Sequence, residues 1–241
     1  NTIGQPGQAG FGVGIYPGPL PAGFTALEGA TTPFATNYGN YQYSDGSICC
    51  WIPRCYYRIG HVDNPTYADY GANSIDIKGV DTYATEAAAN ADGYALFRAF
   101  IDGGETKNGF FADKYLASAN TAGDAAISVA NAVPLSLDND GNYTNTQDDL
   151  TLGLPGQLSD AVTLGRSRGT GWHCMSLFQQ TVLAFLSLAH AQAATSDAYC
   201  AWYDANGTTN FPKGCNNSAL GDVNDASILY VTAGDPGDSA K

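Results

Sequence analysis

A chain of 241 residues, 44% of them hydrophobic, is long enough for one large domain or two small ones and holds enough apolar side chains for a genuine core. With 10 basic against 23 acidic residues the formal charge is -13, which repels a phosphate backbone and an anionic membrane surface, so nucleic acid is not an expected partner. Charged residues make up only 14% while Gly reaches 29 and Tyr 15, no apolar run is long enough to span a bilayer, and 6 cysteines are too sparse for a disulfide scaffold, so a loop-heavy globular fold is expected.

Residues 1–36 are dense in glycine and proline, from Gly4 and Pro6 to Pro21 and Gly23, which forbids helix. They read equally as an attachment or linker segment and as a long surface loop packed on the domain that follows, 37–241. No signal peptide is visible at Asn1-Thr2-Ile3, and the start of the chain is expected to have been removed or omitted. From Ser47 to Ile59, alternation predicts a half-buried strand with Cys49, Trp51, Cys55, Tyr57 and Ile59 on one face and Arg54 and Arg58 on the other. Pro53 predicts a bulge or an edge there, because proline cannot donate to the ladder. Residues 84–101 form an alanine-rich helical candidate weakened by Gly93. Residues 109–118 alternate enough for a core strand, and 119–160 read as loop. From Leu177 to Ala194, Phe178, Val182, Phe185, Leu186 and Ala189 recur at helical spacing, with Ser176 and Gln179 placed for a capping box. The tail, 195–241, reads as turns with short strands.

Catalytic and metal constellations are weak. His173-Cys174 is the one suggestive nucleophile pair, but neighbours on a strand point oppositely, which favours a core cysteine beside a histidine. His61 and His190 are isolated and read as structural. Cys50 and Cys55 lack a second pair of zinc-ligand form, and Asp138-Asn-Asp-Gly-Asn resembles part of a calcium loop in which the register fails at Ser136 and Gln147. No metal, cofactor or catalytic residue is therefore assigned. Sequons at Asn142, Asn206 and Asn216 arise easily by chance in a chain this rich in Asn, Ser and Thr. Cys200 and Cys215 bracket a turn-rich loop that a disulfide would stabilise by about 3 kcal/mol. Within and beside that loop, Tyr199, Trp202, Tyr203, Asn206 and Phe211 mix aromatic rings with amides in the manner of recognition loops. Trp202, Tyr203, Asn206 and Phe211 are the candidate ligand-binding residues.

Three stretches carry a resemblance: Trp51-Ile-Pro-Arg-Cys-Tyr-Tyr-Arg-Ile59, Gly109-Phe-Phe-Ala-Asp-Lys-Tyr-Leu-Ala-Ser118 and Gly171-Trp-His-Cys-Met-Ser-Leu-Phe-Gln-Gln180. Together, over about residues 40–230, they resemble the bacteriophage tail-fibre and tropism-determinant proteins with a C-type-lectin-like fold, relatives in fold of the formylglycine-generating enzymes. The resemblance implies an α+β fold of small twisted antiparallel sheets with two helices and long loops. It implies a virion protein on the outside of the phage particle that recognises a bacterial surface receptor, protein or glycan, alongside other virion proteins, with a trimer as the favoured homo-oligomer. A structural head or tail decoration is the alternative. The family's C-terminal Asn-Gly-x-x-Trp-Glu type motif does not occur before Lys241, so the chain is expected either to be a fragment or processed product or to have its missing half supplied elsewhere. The catalytic cysteines of the formylglycine-generating enzymes would fall in the same missing region, and no enzymatic role carries over to a residue of this chain.

Overall fold

The computed structural model describes residues 2–122, 124–130, 132, 158–205 and 209–210. In chain order the strands are β1 (Phe24–Ala26), β2 (Asn40–Tyr43), β3 (Ile48–Pro53), β4 (Cys55–Ile59), β5 (Ile75–Gly79), β6 (Ala95–Leu96), β7 (Ile101–Asp102), β8 (Glu105–Thr106), β9 (Gly109–Asp113), β10 (Ser118–Ala119) and β11 (Ala126–Ile127). The helices are α1 (Tyr67–Tyr70), α2 (Glu86–Ala91), α3 (Leu158–Arg166) and α4 (Leu177–Ala193). This is a mixed α+β architecture of small antiparallel sheets. The larger sheet runs β1-β2-β3-β9, a second runs β5-β4-β6, and two-stranded ladders join β7 to β8 and β10 to β11.

The predicted single strand at 47–59 is two strands in two sheets. β3 pairs with β9 as far as Pro53 opposite Gly109, and β4 then pairs with β5 and β6. The proline ends the first ladder, and Arg54 between the strands donates its backbone N–H to Asn108 O at 2.8 Å. The change of sheet also overturns the polar face expected for Arg58. Cys55 and Tyr57 turn toward the main core, while Tyr56 and Arg58 turn toward a second cluster with Ala89 and Tyr94. Buried there, the Arg58 guanidinium is satisfied by Asn64 Oδ1 at 2.7 Å, Asp92 O at 3.0 Å and the Tyr94 ring, 4.4 Å from its centroid.

The helix predicted over 84–101 stops after α2. Gly93 takes φ +80, Gly93 N–H returns to Asn90 O at 3.0 Å and Tyr94 N–H to Ala89 O at 2.9 Å, which is the pattern of a Schellman stop. Tyr94, Phe97 and Phe100 are all buried, but Tyr94 joins the second cluster and the two phenylalanines the main core, so no single helix face could serve them. The strand predicted at 109–118 is β9 over its first half. The stretch read as loop at 119–160 includes β11 and the start of α3, and its central Asp138–Gln147 lies outside the described residues, as do all three sequons.

α4 forms as its periodicity predicts. Ser176 Oγ accepts from Gln179 N–H at 3.2 Å, and Gln179 Oε1 accepts from Ser176 N–H at 2.9 Å, completing the capping box. Val182, Leu186 and Ala189 pack into the main core with Ile52, Cys55, Ile75, Ile77 and Ala112, whereas Phe178 at the first turn is 54% exposed. Gln192 fastens the other end of the helix, accepting from Ile75 N–H at 2.8 Å and donating to Asn73 O at 2.8 Å.

Residues 2–36 are packed on the body. Ile3 is fully buried in the main core beside Phe11 and Val13, Gly14 N–H donates to Trp51 O at 3.1 Å, and β1 is a member of the larger sheet. Gly7, at φ +78, comes so close to α4 that a Cβ would lie 2.2 Å from Ala193 O.

Candidate functional site

Register in the larger sheet decides which side chains share a face. Phe24 lies opposite Tyr43, Trp51 opposite Phe111 and Cys49 opposite Asp113, and these form one face. Asn40 opposite Cys50, Cys50 opposite Ala112 and Ile52 opposite Phe110 form the other. A cleft opens on each.

On the Trp51 face the cleft has a volume of about 600 Å³, within the range of small-molecule sites. Its walls are Tyr16, Phe24, Tyr43, Trp51, Phe111 and Trp172. Phe111 stacks on Tyr16 at 5.4 Å and on Phe24 at 4.2 Å, and Phe24 stacks in turn against Trp172 at 5.9 Å. Trp51 meets Tyr16 and Phe111 edge-on, at 4.7 and 5.0 Å. Trp51 is only 5% exposed, and its buried indole N–H has no hydrogen-bond partner among the described residues. A buried donor left unmatched costs about 1–3 kcal/mol. Trp172 arrives from a segment distant in sequence and is held by Arg168. That guanidinium lies 4.5 Å from the ring centroid and reaches Asp45 at 3.1 Å, Asp113 at 2.7 Å, Ser47 Oγ at 2.8 Å and Ala126 O at 2.8 Å.

On the opposite face a cleft of about 570 Å³ is walled by Phe11, Tyr38, Cys50, His190, Tyr199 and Trp202, with Phe34 at its rim. Phe34 is 75% exposed and has φ +67. It is the second central residue of a turn in which Ala35 N–H donates to Thr32 O at 3.1 Å, with Pro33 before it. That is the type II pattern, whose second central position normally takes glycine. Among the described residues it is the one non-glycine with positive φ, a conformation that costs an L-residue about 1–2 kcal/mol. A bulky ring held there without being buried gains nothing for the core to offset that strain. Beneath it, His190 Nδ1 accepts from Gly7 N–H at 3.0 Å, and Nε2 donates to Tyr199 O at 2.7 Å. Burial holds this imidazole below its ordinary pKa.

Of the predicted ligand-binding residues, Trp202 lines this second cleft. Tyr203 is half-buried beside it, donating its N–H to Cys200 O at 3.1 Å, but lines neither cleft. Asn206 and Phe211 lie outside the described residues, as does Cys215, while Cys200 is buried. Sequence reasoning missed Phe34, Tyr16, Phe24 and Trp172. The signal available was a run of aromatics set between the glycines and prolines of residues 11–43, from Phe11 and Tyr16 to Tyr41 and Tyr43.

Cys174, expected in the core, is exposed. The chain from 172 to 176 is irregular rather than a strand, and His173 Nδ1 lies 2.7 Å from Cys174 O. Cys49 and Cys50 fall on opposite faces of β3. Burial pushes the Cys50 thiol up to about 11 and raises those of Cys49 and Cys55 as well, which keeps all three protonated and poorly nucleophilic near neutral pH. Among the described residues no group of three or more His, Cys, Asp or Glu side chains is placed to hold a metal. No family model, no curated protein and no solved structure matches the chain.

Proposed function

We propose that the chain is a receptor-binding module of a bacteriophage tail fibre, built on a C-type-lectin-like fold. It would bind a bacterial surface molecule through the rim formed by Phe34, Tyr199 and Trp202. Its setting is the outside of the virion beside other virion proteins, as a homo-oligomer for which the resemblance favours a trimer. The virion assignment rests on the three resembling stretches around Trp51, Gly109 and Trp172, and an α+β body of small antiparallel sheets is compatible with them. The recognition role rests on Phe34. A phenylalanine that occupies a glycine position and is left 75% exposed is favoured neither by the local backbone nor by the core, and contact with a partner gives it a use. Exposed aromatic rings on a rigid scaffold are the side chains that contribute most per residue to such contacts.

Phe34→Gly separates folding from recognition. Relief of about 1–2 kcal/mol of backbone strain is offset by the roughly 0.5–1 kcal/mol entropic cost of glycine, so stability in denaturant titration should stay within about 1 kcal/mol. Particles carrying the substitution should adsorb to host cells about tenfold or more slowly. Unchanged adsorption would overturn the role of the rim. Electron cryomicroscopy of the particle tests the location: density at the tail tip is expected, and a regular lattice on the head or tail tube would make the chain a decoration protein instead.

A further inference from the structure

We infer that the cleft with Phe34 at its rim takes an aliphatic chain that ends in a carboxylate, a fatty-acid-like ligand. The inference rests on reading that rim as a recognition surface, and it names the chemistry that the cleft behind it admits. What singles out this ligand is an apolar floor next to one cation that has no carboxylate of its own. The floor is built where α4 packs on the Cys50 face of the larger sheet. Ile52 from β3, Ala112 from β9, Leu183 and Leu186 from α4, and Phe11 and Val13 from the N-terminal arm line it, and all six belong to the main core or pack against it. Hydrocarbon is what such a floor accepts without leaving polar groups unpaired. Cys50 Sγ already donates to Asn40 Oδ1 at 3.1 Å, and both nitrogens of His190 are taken by Gly7 and Tyr199, so these side chains bring no unmet bond to the floor. The cleft holds about 570 Å³, and its α4 wall from Leu183 to His190 is about 10 Å long, which suits a small ligand with an extended chain.

The charge of the ligand follows from Lys114. Among the described residues it is the one Lys or Arg that lines the cleft. It follows Ala112 by two positions, and its N–H still donates to Ile48 O at 2.9 Å, so alternation carries its side chain to the face shared by Cys50 and Ala112. The side chain is half-buried, its charge acts on the Cys50 thiol in the cleft wall, and it forms no salt bridge with a described residue. The one carboxylate in the lining, that of Asp113, is held by Arg168 at 2.7 Å. An ammonium beside apolar walls attracts an anion more strongly than one in open water, because the local dielectric is low. In a chain of formal charge -13, a half-buried lysine with no acidic neighbour is a place kept for an anion from outside.

The test is calorimetric titration of the full chain at neutral pH with decanoate, decanol and decyltrimethylammonium, which share a chain and differ in head group. Decanoate should bind tightest, the alcohol about tenfold or more weakly, and the cation more weakly still. Octanoate, two methylenes shorter, should bind about tenfold more weakly than decanoate. Lys114→Gln should bring decanoate down to the affinity of the alcohol, and Lys114→Arg should restore it. Ser187→Phe sets a ring into the cleft from a half-buried position of α4 and should abolish binding of both; it serves as the variant if Lys114→Gln does not fold. Equal affinity for decanoate and decyltrimethylammonium, no binding of decanoate, or variants at Lys114 and Ser187 that bind like the parent would each overturn the inference. Absence of decanoate binding together with slowed adsorption of Phe34→Gly particles would overturn this ligand and leave the receptor-binding reading intact. Decanoate binding with unslowed adsorption of those particles would overturn the receptor role and leave the ligand site.

Discussion

His190 joins three parts of the molecule through one ring. It lies on α4, takes the Gly7 N–H on Nδ1, gives its Nε2 proton to Tyr199 O and stacks on Phe11 at 5.4 Å. Protonation of Nδ1 would remove the acceptor that Gly7 uses, and burial already disfavours the charged ring. The folded-state pKa is therefore depressed below the ordinary 6.5, so the unfolded chain binds the proton more readily. Stability is full above 6.5 and is lost as pH falls through the window beneath it. Thermal unfolding should show a midpoint that drops as pH falls below 6.5, with a shallower drop in His190→Gln. The sequence marked His190 only as isolated, because the Gly7 N–H that occupies its Nδ1 lies at the other end of the chain and the Tyr199 carbonyl reaches it only across the turn that follows α4.

Among the elements, α4 is the one most fully written in its own residues. Its apolar repeat at Val182, Leu186 and Ala189 faces the core, and its start is encoded by Ser176 and Gln179. Ser176→Ala removes an acceptor from an orphan N–H and should cost about 1 kcal/mol in chemical denaturation, with no change in the slope of the transition. α2 shows where local reading fails. Alanine-rich composition favours helix through 84–101, yet a glycine with positive φ ends it at Gly93, and the residues beyond are divided between two clusters. β3 and β4 fail in another way: alternation identified the strand residues, but no periodicity announces that a chain leaves one sheet for another after Pro53. The candidate site suffered most from this, since Trp51 and Phe111 face each other only through the β3–β9 register.

At the scale of the whole molecule, the glycine- and proline-rich arm is part of the folded body. Ile3 is fully buried among residues of β3, β5 and α4, which gives a surface-like composition a core function. Ile3→Ala should cost about 2–5 kcal/mol, the range for emptying a packed aliphatic position, measured as a shift in denaturation midpoint. A detachable tether would show almost no change. The arm also supplies Tyr16 and Phe24 to one cleft and Phe11 and Phe34 to the other, so a chain shortened at this end would lose walls of both sites along with stability.

The residues alone determined the properties that depend on neighbours along the chain: the acidic, loop-rich character, the α4 helix with its cap, and the strand character of 48–59 and 109–113. The tertiary structure decided what depends on residues far apart in sequence. It turned Arg58 inward, brought Trp172 against Phe24, buried Ile3 and left Phe34 exposed. Periodicity gives the direction of a side chain relative to its own element, but what covers that side chain, or fails to, is set by the packing of other elements.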